Sequence, residues 1–194
     1  MNALLKPNPA GMDVFWGEIA PCEHLVQLYD DGAVFLDALE GFVGGGLFAG
    51  DGTVIIATEP HLDALAMRLI ANGVDLHAAI ARDQYIPIRA DETLAKFMVD
   101  GWPDEGLFRE VACQLISRAR GDRRRKVRAF GEMVALLWVD GNREAVVRLE
   151  QLWHGLCEEE AFSLFCAYPK LGFTQGASIS ARDICSLHSR VVPS

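Results

Sequence analysis

Short apolar runs alternate with helical apolar patterns along most of the 194-residue chain, and this alternation limits the fold more than any other feature of the sequence. Strands are predicted at residues 24–30, 53–57, 84–88, 126–133 and 162–168, and helices at about 35–43, 62–70, 91–100, 104–119, 142–157 and 179–189. The run Gly44-Gly45-Gly46 is expected to end the first helix, because glycine destabilises helix interiors. Pro87 favours an edge position or a strand end for the third strand. The alternation predicts an α/β fold with a mostly parallel sheet and helices on both faces.

Composition excludes several classes of partner and cofactor. The net charge of −9 makes nucleic acid an unfavourable partner. Five scattered cysteines form no CxxC pair, which indicates neither a zinc knuckle nor a disulfide framework. No apolar run reaches the roughly 18 residues of a membrane span, and the N-terminus has no recognisable secretory signal. We expect a cytoplasmic protein that contacts no membrane, with residues 1–20 as a loose leader and residues 21–194 as a single domain.

Three stretches of the sequence together resemble a known family. They are HLVQLYDD…FLDALEGFVGGGLFAGDGTVIIATEPH (24–61), KVRAFGEMVALLWVDGNREAVVRLEQLWHGL (126–156) and FSLFCAYP (162–169). These stretches resemble the MEDS domain, the sensory domain of methanogen and methylotroph regulators of the DcmR type. The resemblance covers roughly residues 22–193. It implies a divergent KaiC/RecA-like three-layer sandwich with a degenerate P-loop, used for sensing rather than for catalysis. No kinase or helix-turn-helix segment follows, so we expect the domain to work in trans, unless the chain is a fragment of a longer protein.

The segment VIIATEPHLDAL (54–65) joins a predicted strand to a predicted helix, a place where many α/β proteins bind phosphate. A P-loop needs glycines, a lysine and a hydroxyl group. This turn instead has Glu59, which repels phosphate, and Pro60, which removes an amide donor. Ordinary ATP binding is therefore not expected here. Either Thr58 or Glu59 only caps the helix, or Thr58, Glu59 and His61 bind a different ligand at the strand end.

Arg128 and Glu132 lie four positions apart at the end of a predicted strand, with Gly131 allowing close backbone approach. One interpretation is a partly buried ion pair that pins the strand end to a neighbour. The other is a role in ligand binding or switching. A further alternative is a divergent nucleotide hydrolase, with Glu132 as general base and Arg128 on phosphate.

Three further candidates are carried by the first and third strands. His24 and Tyr29 flank the first strand, and Tyr85 lies in the third. The two tyrosines could line one crevice if those strands are adjacent, or all three residues could be satisfied core residues. Cys22 and His24 could be half of a metal site, but no second pair has suitable spacing, so no metal site is predicted.

The segment RARGDRRRKVR (118–128) is strongly basic in an acidic chain. It is either a solvated loop or a docking surface for an acidic partner, with Arg123, Arg124, Arg125 and Lys126 as the candidate contacts. DNA binding is not favoured, because no recognition-helix pattern accompanies the basic residues.

The sequence therefore favours a sensory module that does not turn its ligand over. It would bind a small molecule or a partner protein at the strand ends near Thr58–His61 and Arg128–Glu132. The alternatives are the nucleotide hydrolase and a purely protein-binding scaffold. The expected partner is a regulatory protein such as a histidine kinase or a transcription regulator, and a homodimer is also left open. The identities of the ligand and of any cofactor are unknown.

Overall fold

The structure, a computed structural model, describes Trp16 and residues 19–122, 125–170 and 181–193. Its strands are β1 (His24–Tyr29), β2 (Gly52–Ala57), β3 (Tyr85–Arg89), β4 (Met98–Val99), β5 (Trp102–Pro103), β6 (Val127–Gly131), β7 (Ser163–Pro169) and β8 (Arg190–Val192). Its helices are α1 (Gly32–Ala49), α2 (Glu59–Ala71), α3 (Leu76–Ala81), α4 (Ala90–Leu94), α5 (Glu105–Arg120), α6 (Met133–Val139), α7 (Arg143–Glu160) and α8 (Ala181–Ser186). The five predicted strands all form, whereas β4, β5 and β8 were not predicted.

Six strands form one parallel sheet in the order β3-β2-β6-β7-β1-β8. The short strands β4 and β5 pair separately as an antiparallel hairpin. The chain crosses the sheet in one direction from β1 through β2 to β3, and in the opposite direction from β3 through β6 to β7. Because parallel crossovers are right-handed, the two directions place their helices on opposite faces. The predicted three-layer α/β arrangement is confirmed, and its relation to KaiC and RecA stays a prediction.

Each face of the sheet carries its own hydrophobic core. In β2, Ile55 and Ala57 belong to the core under α1, α2 and α3, whereas Val54 and Ile56 belong to the core under α5, α6 and α7. This division follows from the alternation of side chains along a strand. Every residue of β2 is buried, as expected of an interior strand covered on both faces.

The edge position predicted for the third strand is confirmed. Among the described strands, β3 pairs only with β2 and so forms one edge of the sheet. Pro87 is tolerated there because an edge strand can lack one amide donor. Trp16 and Ile19, both in the predicted leader, pack against the core under α1, while the division into leader and domain stays a prediction.

Helix α1 does not end at Gly44-Gly45-Gly46, and the predicted helix end is wrong. The helix continues to Ala49 and ends at Gly50, whose φ of 85° lies in the left-handed region. A Cβ atom on Gly46 would lie 2.8 Å from Cδ of Arg128, so the glycine is explained by close approach to that side chain. By length and composition α1 could also span a membrane. The sequence predicts no membrane span, because no continuous apolar run is long enough. Here residues such as Phe42 on one of its faces are buried in the core.

We expect Gly46→Ala to lower the free energy of unfolding by about 1–3 kcal/mol, because the added methyl group overpacks against Arg128. The matched control is Gly155→Ala in α7, where an added Cβ meets nothing within 4 Å. That control should gain roughly 0.5–1 kcal/mol from helix propensity. Urea unfolding of both variants checks the prediction, and equal stabilisation by the two substitutions would show that Gly46 is not closely packed.

Candidate functional site

The carboxyl ends of β2 and β6 lie side by side, and the chain leaves them towards opposite faces of the sheet. β2 leads into α2 on one face, and β6 leads into α6 on the other. Such a switch point opens a crevice where α/β proteins commonly bind ligands. The strand-end position expected from the sequence is therefore a topological switch point of this fold.

Thr58, His61 and Glu132 meet at this switch point and form what we call the strand-end cluster. The Glu132 carboxylate is buried and accepts a hydrogen bond from the backbone N–H of Thr58 at 2.7 Å. Its other oxygen lies 2.8 Å from Nδ1 of His61 and accepts from the Thr58 hydroxyl at 3.3 Å. Glu132 thus connects the turn after β6 to the turn after β2.

Aromatic rings border the strand-end cluster on the β1 side. The Phe35 ring lies 5.0 Å from the His61 ring and 4.8 Å from the Tyr29 ring, measured between centroids. Burial, together with the nearby Glu132 carboxylate, raises the pKa of Tyr29. The strand-end cluster therefore combines polar side chains with adjacent aromatic rings.

The structure does not bring Tyr29 and Tyr85 into one crevice. Their strands β1 and β3 are separated by β7, β6 and β2. Tyr85 begins its strand whereas Tyr29 ends its own, so they also lie towards opposite ends of the parallel sheet. Burial raises the pKa of Tyr85 to about 12, and the residue belongs to the core under α1.

Glu59 lies at the first position of α2 but outside the strand-end cluster. Its exposed carboxylate pairs with Arg89 at 3.0 Å, at the end of the neighbouring strand β3. Thr58 is the N-cap residue of α2, yet its side chain makes no capping hydrogen bond. Simple helix capping by the Thr58 or Glu59 side chain, one of the sequence interpretations, therefore does not describe this turn.

Arg128 and Glu132 do not form a pair, so the predicted ion pair between them is wrong, whereas a role of either residue in ligand binding stays a prediction. Arg128 lies near the amino end of β6, where its Nε donates to Asp51 at 2.8 Å and its Nη1 donates to the Phe42 carbonyl at 3.1 Å. Glu132 follows the opposite end of the same strand. The two side chains were expected to share a site because they are four residues apart, but the strand ends before Glu132. They cannot act together on one phosphate group.

A second group of polar side chains lies buried between the sheet and α7, and we call it the buried cluster. It comprises His24, Glu150, Cys166 and His188, whose side-chain ligand atoms all lie within 4.8 Å of one another. Oε2 of Glu150 lies 3.3 Å from Nε2 of His24 and 3.5 Å from Nε2 of His188. The Cys166 sulfur lies 3.5 Å from Nε2 of His24 and 3.7 Å from Oε2 of Glu150.

Burial and the neighbouring charges act in opposite directions on the pKa of His188 and of Glu150, and in the same direction on the pKa of Cys166. Burial lowers the pKa of His24 and raises that of the Cys166 thiol. Burial alone would also lower the pKa of His188, but the adjacent Glu150 carboxylate outweighs it and raises that pKa. In return, the two histidines outweigh the burial of Glu150 and hold its pKa well below the usual range.

Residues 23–189 match the family described as MEDS, the MEthanogen/methylotroph, DcmR Sensory domain. The chain belongs to the MEDS family. No curated protein matches the chain. The matched region contains every residue of the strand-end cluster and of the buried cluster. Because the MEDS family is a family of sensory domains, membership is consistent with a sensory or regulatory role in signal transduction and suggests a role other than catalysis.

The basic segment of this MEDS domain is partly used by the fold itself. Arg125 donates to the backbone carbonyls of Arg82, Asp83 and Ala119, whereas Lys126 is exposed. The other two candidate contacts, at positions 123 and 124, lie outside the described residues. A docking role for this segment stays a prediction.

Of the four members of the buried cluster in this MEDS domain, sequence patterns indicate only His24. As a metal ligand, His24 has a sequence neighbour only in Cys22, which is exposed and lies outside the cluster. His24 and His188 are 164 positions apart in the sequence, so no spacing pattern links them. Glu150 lies in a segment whose pattern predicts an ordinary amphipathic helix. The available signal was a glutamate on the apolar side of α7, since buried carboxylates need partners.

Proposed function

We propose that this MEDS domain is a sensor that binds a small molecule at the strand-end cluster without turning it over. The observation that supports this proposal is the position of Thr58, His61 and Glu132 at a switch point between β2 and β6. The bound state would be read by a regulatory protein, such as a histidine kinase or a transcription regulator.

The chemistry of the cluster favours a neutral or cationic ligand that carries a hydrogen-bond donor. Nδ1 of His61 faces the Glu132 carboxylate at 2.8 Å, so Nδ1 carries the proton and Nε2 is left as an acceptor. The His61 side chain is 27% exposed, which leaves it accessible to a small molecule. The carboxylate and the exposed Glu59 nearby disfavour a phosphate. The partly exposed Tyr29 ring would cover an apolar part of the ligand.

A cavity of about 920 Å³ opens at the opposite, amino ends of the strands. It is a weaker candidate for the ligand site, because two of its lining arginines already have partners in the fold. Its wall includes Arg125 and Arg128, which already bind backbone carbonyls and Asp51. Those guanidinium groups stabilise the fold and would have to leave their partners to bind a ligand. The hydrolase alternative is also weakened. It needs Arg128 beside Glu132, whereas Arg128 lies near the amino end of β6 and Glu132 follows its opposite end.

The test starts with native mass spectrometry of the protein purified from its own cells, to detect a retained small molecule. Thermal-shift titrations then use ATP, ADP and AMP, and a series of primary alcohols and amines of increasing chain length. We expect stabilisation by an alcohol or amine and none by the nucleotides. His61→Ala should weaken that binding about tenfold, the effect of one lost hydrogen bond of about 1.4 kcal/mol.

The matched control is His77→Ala, because His77 is an exposed histidine on α3 outside the cluster. It should bind the same compound as tightly as the unmodified protein does. Nucleotide stabilisation that depends on Arg128 would instead support the cavity at the amino ends. A bound compound that tolerates His61→Ala and Thr58→Val without loss of affinity would contradict the proposed site.

A further inference from the structure

We propose that the buried cluster of His24, Glu150, Cys166 and His188 is a binding site for a divalent transition-metal ion, best suited to zinc. This proposal does not depend on the strand-end cluster. It rests on four side chains whose residue types are those that bind zinc. All four side-chain ligand atoms lie within 4.8 Å of one another.

Four of the six distances between the ligand atoms suit a tetrahedral ion. Zinc binds nitrogen and oxygen at about 2.0–2.1 Å and sulfur at about 2.3 Å. In a tetrahedral shell, two nitrogen or oxygen ligands are then about 3.3 Å apart, and a sulfur ligand lies about 3.6 Å from each of the others. The nitrogen–oxygen distances here are 3.3 and 3.5 Å, from Glu150 to His24 and to His188. The sulfur of Cys166 lies 3.5 Å from His24 and 3.7 Å from Glu150. The other two distances, from His188 to His24 and to Cys166, lie within 4.8 Å, so the His188 ring would complete the shell by moving towards the ion.

The orientation of His188 is the second observation that indicates a cation. Its Nδ1 donates to the carbonyl of Ile184 at 2.7 Å, which leaves the Nε2 lone pair directed at the Glu150 carboxylate. The His188 side chain is fully buried, and its Nε2 makes no hydrogen bond within the described part of the chain. When Nε2 is unprotonated, two acceptors face each other in a buried site, and either a metal ion or a proton on Nε2 between them removes the repulsion. Metal-binding histidines are commonly held in orientation by a hydrogen bond from the other ring nitrogen to a backbone carbonyl.

The remaining contacts of Glu150 complete this arrangement. Its Oε1 accepts a hydrogen bond from the Tyr168 hydroxyl, which leaves Oε2 for the ion. Binding displaces the thiol proton of Cys166, and any proton on Nε2 of His188, to the solvent. The carboxylate, the thiolate and a divalent ion then sum to zero charge, which lowers the cost of burial. A cavity of about 300 Å³ lined by His154 and Ser186, among others, reaches Glu150 and His188 and would admit the ion.

A metal ion at this position would join segments that are distant in the sequence. His24 lies on β1, Cys166 on β7 and Glu150 on α7, whereas His188 lies between α8 and β8. The ion would hold the C-terminal segment, residues 181–193, against the sheet. Occupancy of the site would thereby control whether β8 stays paired with β1.

The experiment uses the full chain without a polyhistidine tag, refolded with Zn²⁺ or Co²⁺ so that uptake does not depend on the rate of entry through the cavity. We expect one zinc per chain, and X-ray absorption should show a four-coordinate shell with one sulfur at about 2.3 Å. The Co²⁺ form should show the visible bands of tetrahedral cobalt and a thiolate charge-transfer band. Cys166→Ser should abolish the charge-transfer band and weaken zinc binding at least about 100-fold, and Tyr168→Phe should weaken it about 10- to 100-fold.

The matched controls are Cys113→Ser and His77→Ala, which alter a cysteine and an exposed histidine outside the ligand set and its cavity. Both should retain one zinc per chain and the charge-transfer band. A folded chain that takes up no metal would overturn the proposal and leave a Glu150–His188 ion pair as the account of the cluster. A sulfur-free shell in the unmodified protein would also overturn it, and this result does not depend on whether the variants fold.

Discussion

Replacing Arg128 with methionine should lower the free energy of unfolding by about 3–5 kcal/mol, the usual result of removing one partner of a buried ion pair. The Arg128 side chain is only 3% exposed, and its Nε donates to Asp51. Its Nη1 donates to the carbonyls of Phe42 and Trp16. Methionine keeps much of the volume but leaves a carboxylate and two carbonyls without these donors. Urea unfolding should show a lower midpoint with an unchanged dependence on denaturant.

The matched control is Arg68→Met, because Arg68 pairs with the exposed Asp37 and with Glu40 on the surface of α1. Exposed pairs of this kind contribute at most about 1 kcal/mol. The double variant Arg128→Met/Asp51→Asn should recover part of the lost stability, since it removes the uncompensated carboxylate. Equal losses from Arg128→Met and Arg68→Met would show that water reaches the buried pair.

The local part of the fold could be predicted from the sequence because it depends on local patterns. Strand β2 and helix α2 are encoded by an apolar run and by a stripe at helical spacing, and both form where expected. The continuation of α1 through three glycines could not be predicted in the same way. It depends on Gly46 and Arg128 approaching each other from elements that are far apart in the sequence.

The same distinction applies to the two clusters. Thr58 and His61 are three residues apart on one turn, so their shared position could be predicted. Glu132 was paired with the wrong partner, because the end of β6 separates it from Arg128 and the β2–β6 pairing brings it to Thr58. The buried cluster depends on four separate elements, and no sequence spacing indicates it.

Glu132→Ala should lower the free energy of unfolding by about 2–3 kcal/mol, because a buried carboxylate that accepts several hydrogen bonds is removed. The backbone N–H of Thr58 and Nδ1 of His61 both lose their partner. Glu59→Ala is the matched control, since Glu59 lies in the same turn but is 65% exposed and pairs only at the surface with Arg89. The control should lose at most about 1 kcal/mol, and urea unfolding measures both.

A double-mutant cycle with His61→Ala separates the contribution of the pair from that of the single residues. We expect a coupling energy of about 0.5–3 kcal/mol between Glu132 and His61, as is usual for residues in direct contact. Such coupling would define Glu132 as a positioning residue that holds Thr58 and His61 in place for a ligand. If Glu132→Ala instead left stability unchanged or raised it while ligand binding was lost, the carboxylate would have to contact the ligand itself. Functional residues are often retained at a cost in stability. The free energy of unfolding and the ligand affinity of Glu132→Ala, measured together, therefore distinguish the two roles.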